Sequence, residues 1–394
     1  FAVGLMVLQI LMYFAVLFAY ILLSPAGAMG RFFFPGLPAL VILIFYGLAQ
    51  WVGLLGRWIN QRTAARGLTA VTTVLMAILA AVALFGYLAP AYAPPPTWDE
   101  SDLAAVSHPV DVQFASLVKL RGYNIDRQTV TAAGMIEVEL YWEVLNQPPG
   151  DYWLFVHLID DVDALVAQRD THPALGKFPS SQWRPGDRFV DTISLPVPAT
   201  AYPSTAALQI GLYEPGAYRL PVSAADGTAL GDAFVLNDIT ITAAEDGLLP
   251  NSSDLNFGPY VRLLSYEYNT REVNLGEDIE ITLRWEMLQR DLDGQVSQVV
   301  VTSADGSWRK WSDNSLQKRR PPEGEGNIIV DVHSIGLNDG ATPGTYEISI
   351  LLIDFFTQNR ANIVAEDGHW IDNELKLSPI RVIDPTATSA STDP

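Results

Sequence analysis

The chain has 394 residues, with 24 Lys+Arg against 44 Asp+Glu, a formal net charge of -20, no cysteine and only 17% charged side chains. The charge is segregated: residues 1–91 hold no acid and four bases (Arg31, Arg57, Arg62, Arg66), leaving 44 acids against 20 bases in residues 92–394. That pattern excludes a single soluble domain, argues against nucleic acid, which needs a basic face, and leaves no disulfide framework, thiolate metal site or Cys nucleophile.

Three apolar stretches fill residues 1–91, at about 1–23, 32–55 and 68–89. A helix rises ~1.5 Å per residue, so about 20 residues cross a hydrocarbon core of about 30 Å. Each stretch meets that length and lacks the polar face of a soluble core helix, so three transmembrane helices are expected. The first is too long for a signal-peptide core and has no basic flank. The chain begins at Phe, which reads as a fragment whose natural N-terminus lies upstream. Residues 56–67 carry Arg57, Arg62 and Arg66 without an acid, and the positive-inside rule places them in the cytoplasm. Residues 92–394 are then extracytoplasmic, on a multi-pass protein of the cytoplasmic membrane. Its first partner is the lipid bilayer.

Residues 92–109 form a Pro-rich linker, and residues 89–98 (APAYAPPPTW) read as a stiff polyproline-like spacer. Beyond it the pattern changes to short alternating segments split by Gly, Pro, Asn and Asp. Residues 136–145 (IEVELYWEVL) put Ile136, Val138, Leu140 and Trp142 on one face and charge on the other, as a half-buried strand does. Residues 279–288 (IEITLRWEML) repeat that segment at an offset of 143. Two all-β, immunoglobulin-like sandwich domains of about seven strands follow, at 110–243 and 258–384, with Trp142 and Trp285 at their centres. Residues 244–257 read as a linker and 385–394 as a disordered tail.

Chemistry is sparse. None of His108, His157, His172, His333 and His369 falls in a metal-ligand pair, and no metal site is expected. His157 shares a strand face with Trp153 and Phe155; two readings stand, a structural histidine or a ligand. Asp170 and His172 read as loop residues that could join a metal or sugar site. Asp160, Asp161 and Asp163 crowd a turn without the further ligands of a calcium loop, which favours a solvated hairpin turn. Lys318, Arg319 and Arg320 form a basic cluster, read as a solvated loop or a contact for anionic headgroups or polymer. Trp183 and Arg184, in WRPGD, either contact a glycan or simply make a Pro-Gly turn. Trp98, Trp308, Trp311 and Trp370 are the other aromatic candidates. No phosphate cradle and no acid/base pair stands out, so no catalytic residue is assigned.

Residues 30–40 (GRFFFPGLPAL) resemble the Gly-Arg-aromatic-x-x-Pro-x-x-Pro stretch near the end of the membrane region of bacterial polyprenyl-phosphate-sugar glycosyltransferases, the protein mannosyltransferase and aminoarabinose transferase type. YWLFVHLI at 152–159, WRPGD at 183–187 and RLP at 219–221 are similar to the β-sandwich domains appended to some bacterial members. The resemblance implies a polyprenyl-phosphate sugar donor at the outer membrane face, with Arg31 holding the lipid phosphate and the sandwiches positioning acceptor or glycan. It also implies a catalytic acid in the first outer loop, upstream. No Asp or Glu precedes Asp99, so these residues alone are expected to be inactive, with no cofactor of their own. The alternative is a non-enzymatic, membrane-anchored surface protein whose tandem sandwiches bind carbohydrate or another protein.

Overall fold

The computed structural model describes residues 2–23, 34–56, 60–243, 252–338, 340–365 and 370–385. The chain divides into two compact units, Phe1–Ala93 and Pro94–Pro394. Arg31, Arg57 and Trp58 lie outside the described residues.

The first unit is helical. α1 (Ala2–Leu23) and α2 (Leu37–Leu55) pack side by side, and α3 (Gln61–Ala81) packs on α2. Two helices, Phe34–Leu54 and Gln61–Ala91, are long and apolar enough to cross a membrane. Pro38 sits in the first turn of α2, where a missing N–H costs nothing. α3 starts earlier than apolarity suggests, because the Asn60 side chain accepts the Arg62 N–H at 2.9 Å and caps it. Arg62 and Arg66 therefore stand on the first turns of a helix rather than in a loop. The helix runs on through a π-helical turn, Val82–Leu88, to Ala91. Pro90 explains the widened turn: in a regular α-helix its ring would strike the Gly86 carbonyl.

The second unit contains four sheets. Its first eleven strands are β1 (His108–Phe114), β2 (Val118–Ile125), β3 (Thr129–Thr131), β4 (Met135–Val144), β5 (Trp153–Asp160), β6 (Leu165–Thr171), β7 (Arg188–Pro196), β8 (Ser204–Tyr213), β9 (Val222–Ala224), β10 (Ala229–Gly231) and β11 (Phe234–Thr242). They form the sheets β10-β9-β1-β2-β4-β7 and β3-β11-β8-β5-β6. The next eleven are β12 (Ser252–Phe257), β13 (Val261–Tyr268), β14 (Glu272–Asn274), β15 (Asp278–Met287), β16 (Gln295–Ser303), β17 (Arg309–Ser315), β18 (Ile328–Gly336), β19 (Gly344–Asp354), β20 (Ile363–Val364), β21 (Trp370–Asp372) and β22 (Leu375–Ile383). Their sheets, β18-β15-β13-β12-β20-β21 and β14-β22-β19-β16-β17, repeat the first pair strand for strand. Short edge pieces raise the number of strands above the seven expected per sandwich. β12 also begins at Ser252, in a stretch whose polarity reads as linker.

Each pair of sheets closes over one apolar core. Trp142 and Trp285 are sealed inside, edge-on to Phe114 and Phe257. The alternation of β4 accounts for this: Ile136, Val138, Leu140 and Trp142 all point inward.

The Pro-rich segment is not a free spacer along its whole length. Pro96 accepts the Val190 N–H at 2.8 Å, so the segment covers the edge of β7. Trp98 is buried, and its indole N–H donates to the Trp142 carbonyl at 2.9 Å. The Arg188 guanidinium lies 4.8 Å from the Trp98 ring. Asp99 then caps the short helix Glu100–Leu103 through a reciprocal pair with Asp102.

The Asp160–Asp163 turn is not simply solvated either. Asp160 is buried and accepts from Arg271 of the second sandwich at 2.5 Å, and from the Val162 and Ala164 N–H groups at 3.1 and 2.8 Å. Asp161 lies 3.7 Å from the same guanidinium, and Asp163 pairs with Arg381. Beside this pair Tyr202 stacks on Tyr268 with ring centroids 5.4 Å apart, and its N–H donates to Ser378 Oγ at 2.8 Å. Thr200 Oγ1 donates to the Lys376 carbonyl at 2.9 Å. The two sandwiches are thus joined by buried polar and aromatic contacts.

Candidate functional site

Alternation along β5 sends Leu154, Val156 and Leu158 into the core and leaves Trp153, Phe155 and His157 on the outer face of the sheet. Register with β8 sets Trp153 opposite Tyr213, Phe155 opposite Gly211 and His157 opposite Gln209. Register with β6 sets Phe155 opposite Asp170, which stands on a strand rather than in a loop. His157 Nε2 lies 3.0 Å from Asp170 Oδ1. The His172 ring sits 4.7 Å from Trp153, and Tyr213 6.3 Å from it.

Gly211 makes the arrangement possible. A Cβ there would sit 2.3 Å from the Phe155 ring, so the ring occupies the space that a side chain at Gly211 would fill. Above it the Arg219 guanidinium is 4.3 Å from the ring centroid, with Asp232 3.7 Å away. Burial, and then the Asp170 charge, push the Tyr213 phenol above its ordinary value, so it remains a donor at neutral pH. The result is a patch or platform of half-buried aromatic rings, Trp153 with His172 and Tyr213 tilted 46° and 50° from it, bordered by a carboxylate, a phenol and a guanidinium. Aromatic rings bordered by polar groups are suited to the C–H face and hydroxyls of a sugar ring. Replacing Gly211 by Ala is expected to displace Phe155, costing about 1–3 kcal/mol by overpacking. Thermal unfolding of the variant checks this.

Trp183 does not join the platform. It is buried, with its indole N–H donating to the Phe178 carbonyl at 3.1 Å and its ring against Phe189 at 5.3 Å. No face of it is free to stack on a glycan. Arg184 is exposed in a turn closed by Asp187 Oδ2, which accepts the Arg184 N–H at 2.8 Å, with Gly186 at φ +90°. Trp308 is also buried, Trp370 half-buried and Trp311 exposed. Lys318 and Arg319 stand on the short helix Leu316–Arg319 rather than in a loop.

The structure also gathers a group that spacing does not reveal. Ser297 Oγ and Asp331 Oδ2 lie 3.2 and 3.0 Å from His333 Nε2. All three residues are fully buried, and one ring nitrogen faces both partners. A hydrolytic triad needs the two nitrogens to serve different partners and an open path to the serine. Asp331 also receives Asn314 at 2.7 Å and Arg319 at 3.2 Å. Burial raises its carboxyl, but the His333, Ser297 and Asn314 bonds outweigh burial and hold it below the usual range. This is a sealed polar knot joining β16, β17 and β18. Among the described residues no three His, Asp or Glu are placed to hold a metal.

No family model and no curated protein matches the chain. A solved structure, the crystal structure of the C-terminal domain of wzt, aligns over 33% of this chain and 77% of its own length, at 12% identity and a TM-score of 0.23. An overlap of that size carries no argument about function.

Proposed function

We infer that the chain is a non-catalytic, membrane-tethered recognition module: three helices hold it in the bilayer, and two immunoglobulin-like sandwiches present the Trp153 platform to carbohydrate outside the cytoplasm. The observation that carries this reading is the convergence of Trp153, His172, Tyr213, Asp170 and Arg219 from separate segments onto one outer sheet face. The orientation rests on the arginines of residues 56–67.

The resemblance of residues 30–40 supports a narrower assignment, the C-terminal part of a bacterial polyprenyl-phosphate-sugar glycosyltransferase. There the platform positions acceptor or glycan, Arg31 meets the lipid phosphate, and the reacting groups lie upstream. Arg31→Ala in the full-length enzyme is expected to weaken donor binding; unchanged binding and transfer would remove that role.

The platform itself is tested with the whole chain in lipid nanodiscs on a glycan array. Binding to at least one glycan class is expected, weakened at least about tenfold by Trp153→Ala, equivalent to about 1.4 kcal/mol, with the melting transition retained. An array without signal, or an unaffected Trp153→Ala variant, rules the reading out.

A further inference from the structure

The two sandwiches treat equivalent edges differently. In the first, β7 is the edge strand, and Val190 donates its N–H outward to Pro96. In the second, β18 occupies the same place. Its hydrogen-bond phase matches: Val144 donates to Asp187 at 2.9 Å, and the equivalent Met287 donates to Asn327 at 2.7 Å. Bonding alternates along an antiparallel ladder, so Val330, the counterpart of Val190, also turns its N–H and C=O away from the sheet. The Val332 carbonyl, in the same phase, accepts from Asn314 at 3.0 Å on that outer side.

Among the described residues no backbone pairs with Val330 as Pro96 pairs with Val190, while β17 and the Leu316–Arg319 helix lie against the Val332 end of β18, where Asn314 and Arg319 reach the Val332 carbonyl. Its outward side chains are nevertheless apolar: Ile328, Val330 and Val332 are 48%, 54% and 40% exposed. The matching positions on the covered edge are Arg188, Val190 and Thr192. Uncovered edges are ordinarily blunted with charge or proline, and here the substitutions run the other way. Lys318 and Arg319, both exposed, stand beside the strand, and Arg319 lies 3.2 Å from Asp331.

We propose that the β18 edge is a docking site for an extended, proline-bearing, aromatic-anchored and acid-flanked segment of a partner protein, added as a further strand at Val330. The occupant's chemistry is that of the segment on the equivalent edge. There Trp98 anchors beneath Arg188, and Glu100 follows with a 2.9 Å ion pair to the same guanidinium. In the second sandwich the positive flank comes from Lys318, Arg319 being held by Asp331 and Asn314.

The test titrates the full chain in nanodiscs against a fluorescent synthetic peptide of residues 94–103 (PPPTWDESDL). Saturable one-to-one binding is expected. Val330→Pro removes only the outward donor and Val330→Lys charges the edge, and each is expected to weaken binding at least about tenfold, as is alanine in place of the peptide's Trp98. Should Val330→Pro unfold, Val330→Lys and the altered peptide still decide the question. Absence of saturable binding, binding indifferent to Val330→Lys, or self-association of the chain that Val330→Lys abolishes would each overturn the proposal.

Discussion

Arg271→Ala is expected to destabilise the paired sandwiches by about 3–5 kcal/mol, because it strands Asp160 as a buried, unpaired carboxylate. Both side chains are almost completely buried, at 8% and 1% exposure, and their 2.5 Å pair joins segments 111 residues apart. The guanidinium also packs 5.2 Å from the Tyr202 ring and donates to the Pro379 carbonyl at 2.8 Å. A charge removed from such a place takes its solvation partners with it. The double variant Asp160→Asn/Arg271→Met is expected to recover much of the loss, because neither site then holds a bare charge. Chemical denaturation checks the cycle, and the unfolding profile adds a second readout. The wild type should unfold in one transition, whereas Arg271→Ala should separate the two sandwiches into distinguishable steps. A loss below about 1 kcal/mol would show that the pair does not join them.

Asp191 yields the second large effect, and it is a function of pH. The residue faces the core from β7, at the position matched by Asp331 in β18, but with a poorer set of partners. Among the described residues Asp191 Oδ2 accepts only the Ala174 N–H, at 2.7 Å, while Oδ1 is buried without a partner. Burial dominates that single bond and pushes the carboxyl up to about 6. An unfolded Asp titrates near 3.9, so between roughly pH 4 and 6 the native state holds the extra proton. Stability from this group therefore falls as pH rises through that window, by up to about 3 kcal/mol, and the penalty is complete above about pH 6. Asp191→Asn cannot titrate. The stability difference between variant and wild type should grow by about 3 kcal/mol in favour of the variant from pH 4 to pH 7. Carboxylates common to both proteins, Asp331 included, cancel in that difference. Parallel stability curves across the window would contradict the assignment. The bond matters locally as well, since Ala174 and Leu175 both sit at φ 54°, a left-handed conformation that needs outside support.

Local period carried much of this architecture in plain view. The inward row of β4 and its echo in β15 follow from alternation, because a strand with one buried face must place apolar side chains two residues apart. Trp142 and Trp285 fall on those rows and are core for that reason. Half of the platform is legible in the same way, since Trp153, Phe155 and His157 share one strand face. Its other half comes from Asp170, His172, Tyr213 and Arg219, which only strand register brings alongside. The Asp160–Asp163 turn was opaque for a related reason: three acids in a turn look alike whether water or Arg271 answers them. Trp183 misled in the opposite direction. An aromatic beside a Pro-Gly turn suggests a displayed ring, yet Phe178 and Phe189 draw the indole inward.

Sidedness decides whether the platform meets a ligand outside the cell, and the absence of native cysteine makes it directly measurable. Gln168 is exposed on β6 at the rim of the platform. A Gln168→Cys variant in intact cells should react with a membrane-impermeant maleimide without permeabilisation. Labelling that appears only after the membrane is opened would place the platform in the cytoplasm and contradict the account.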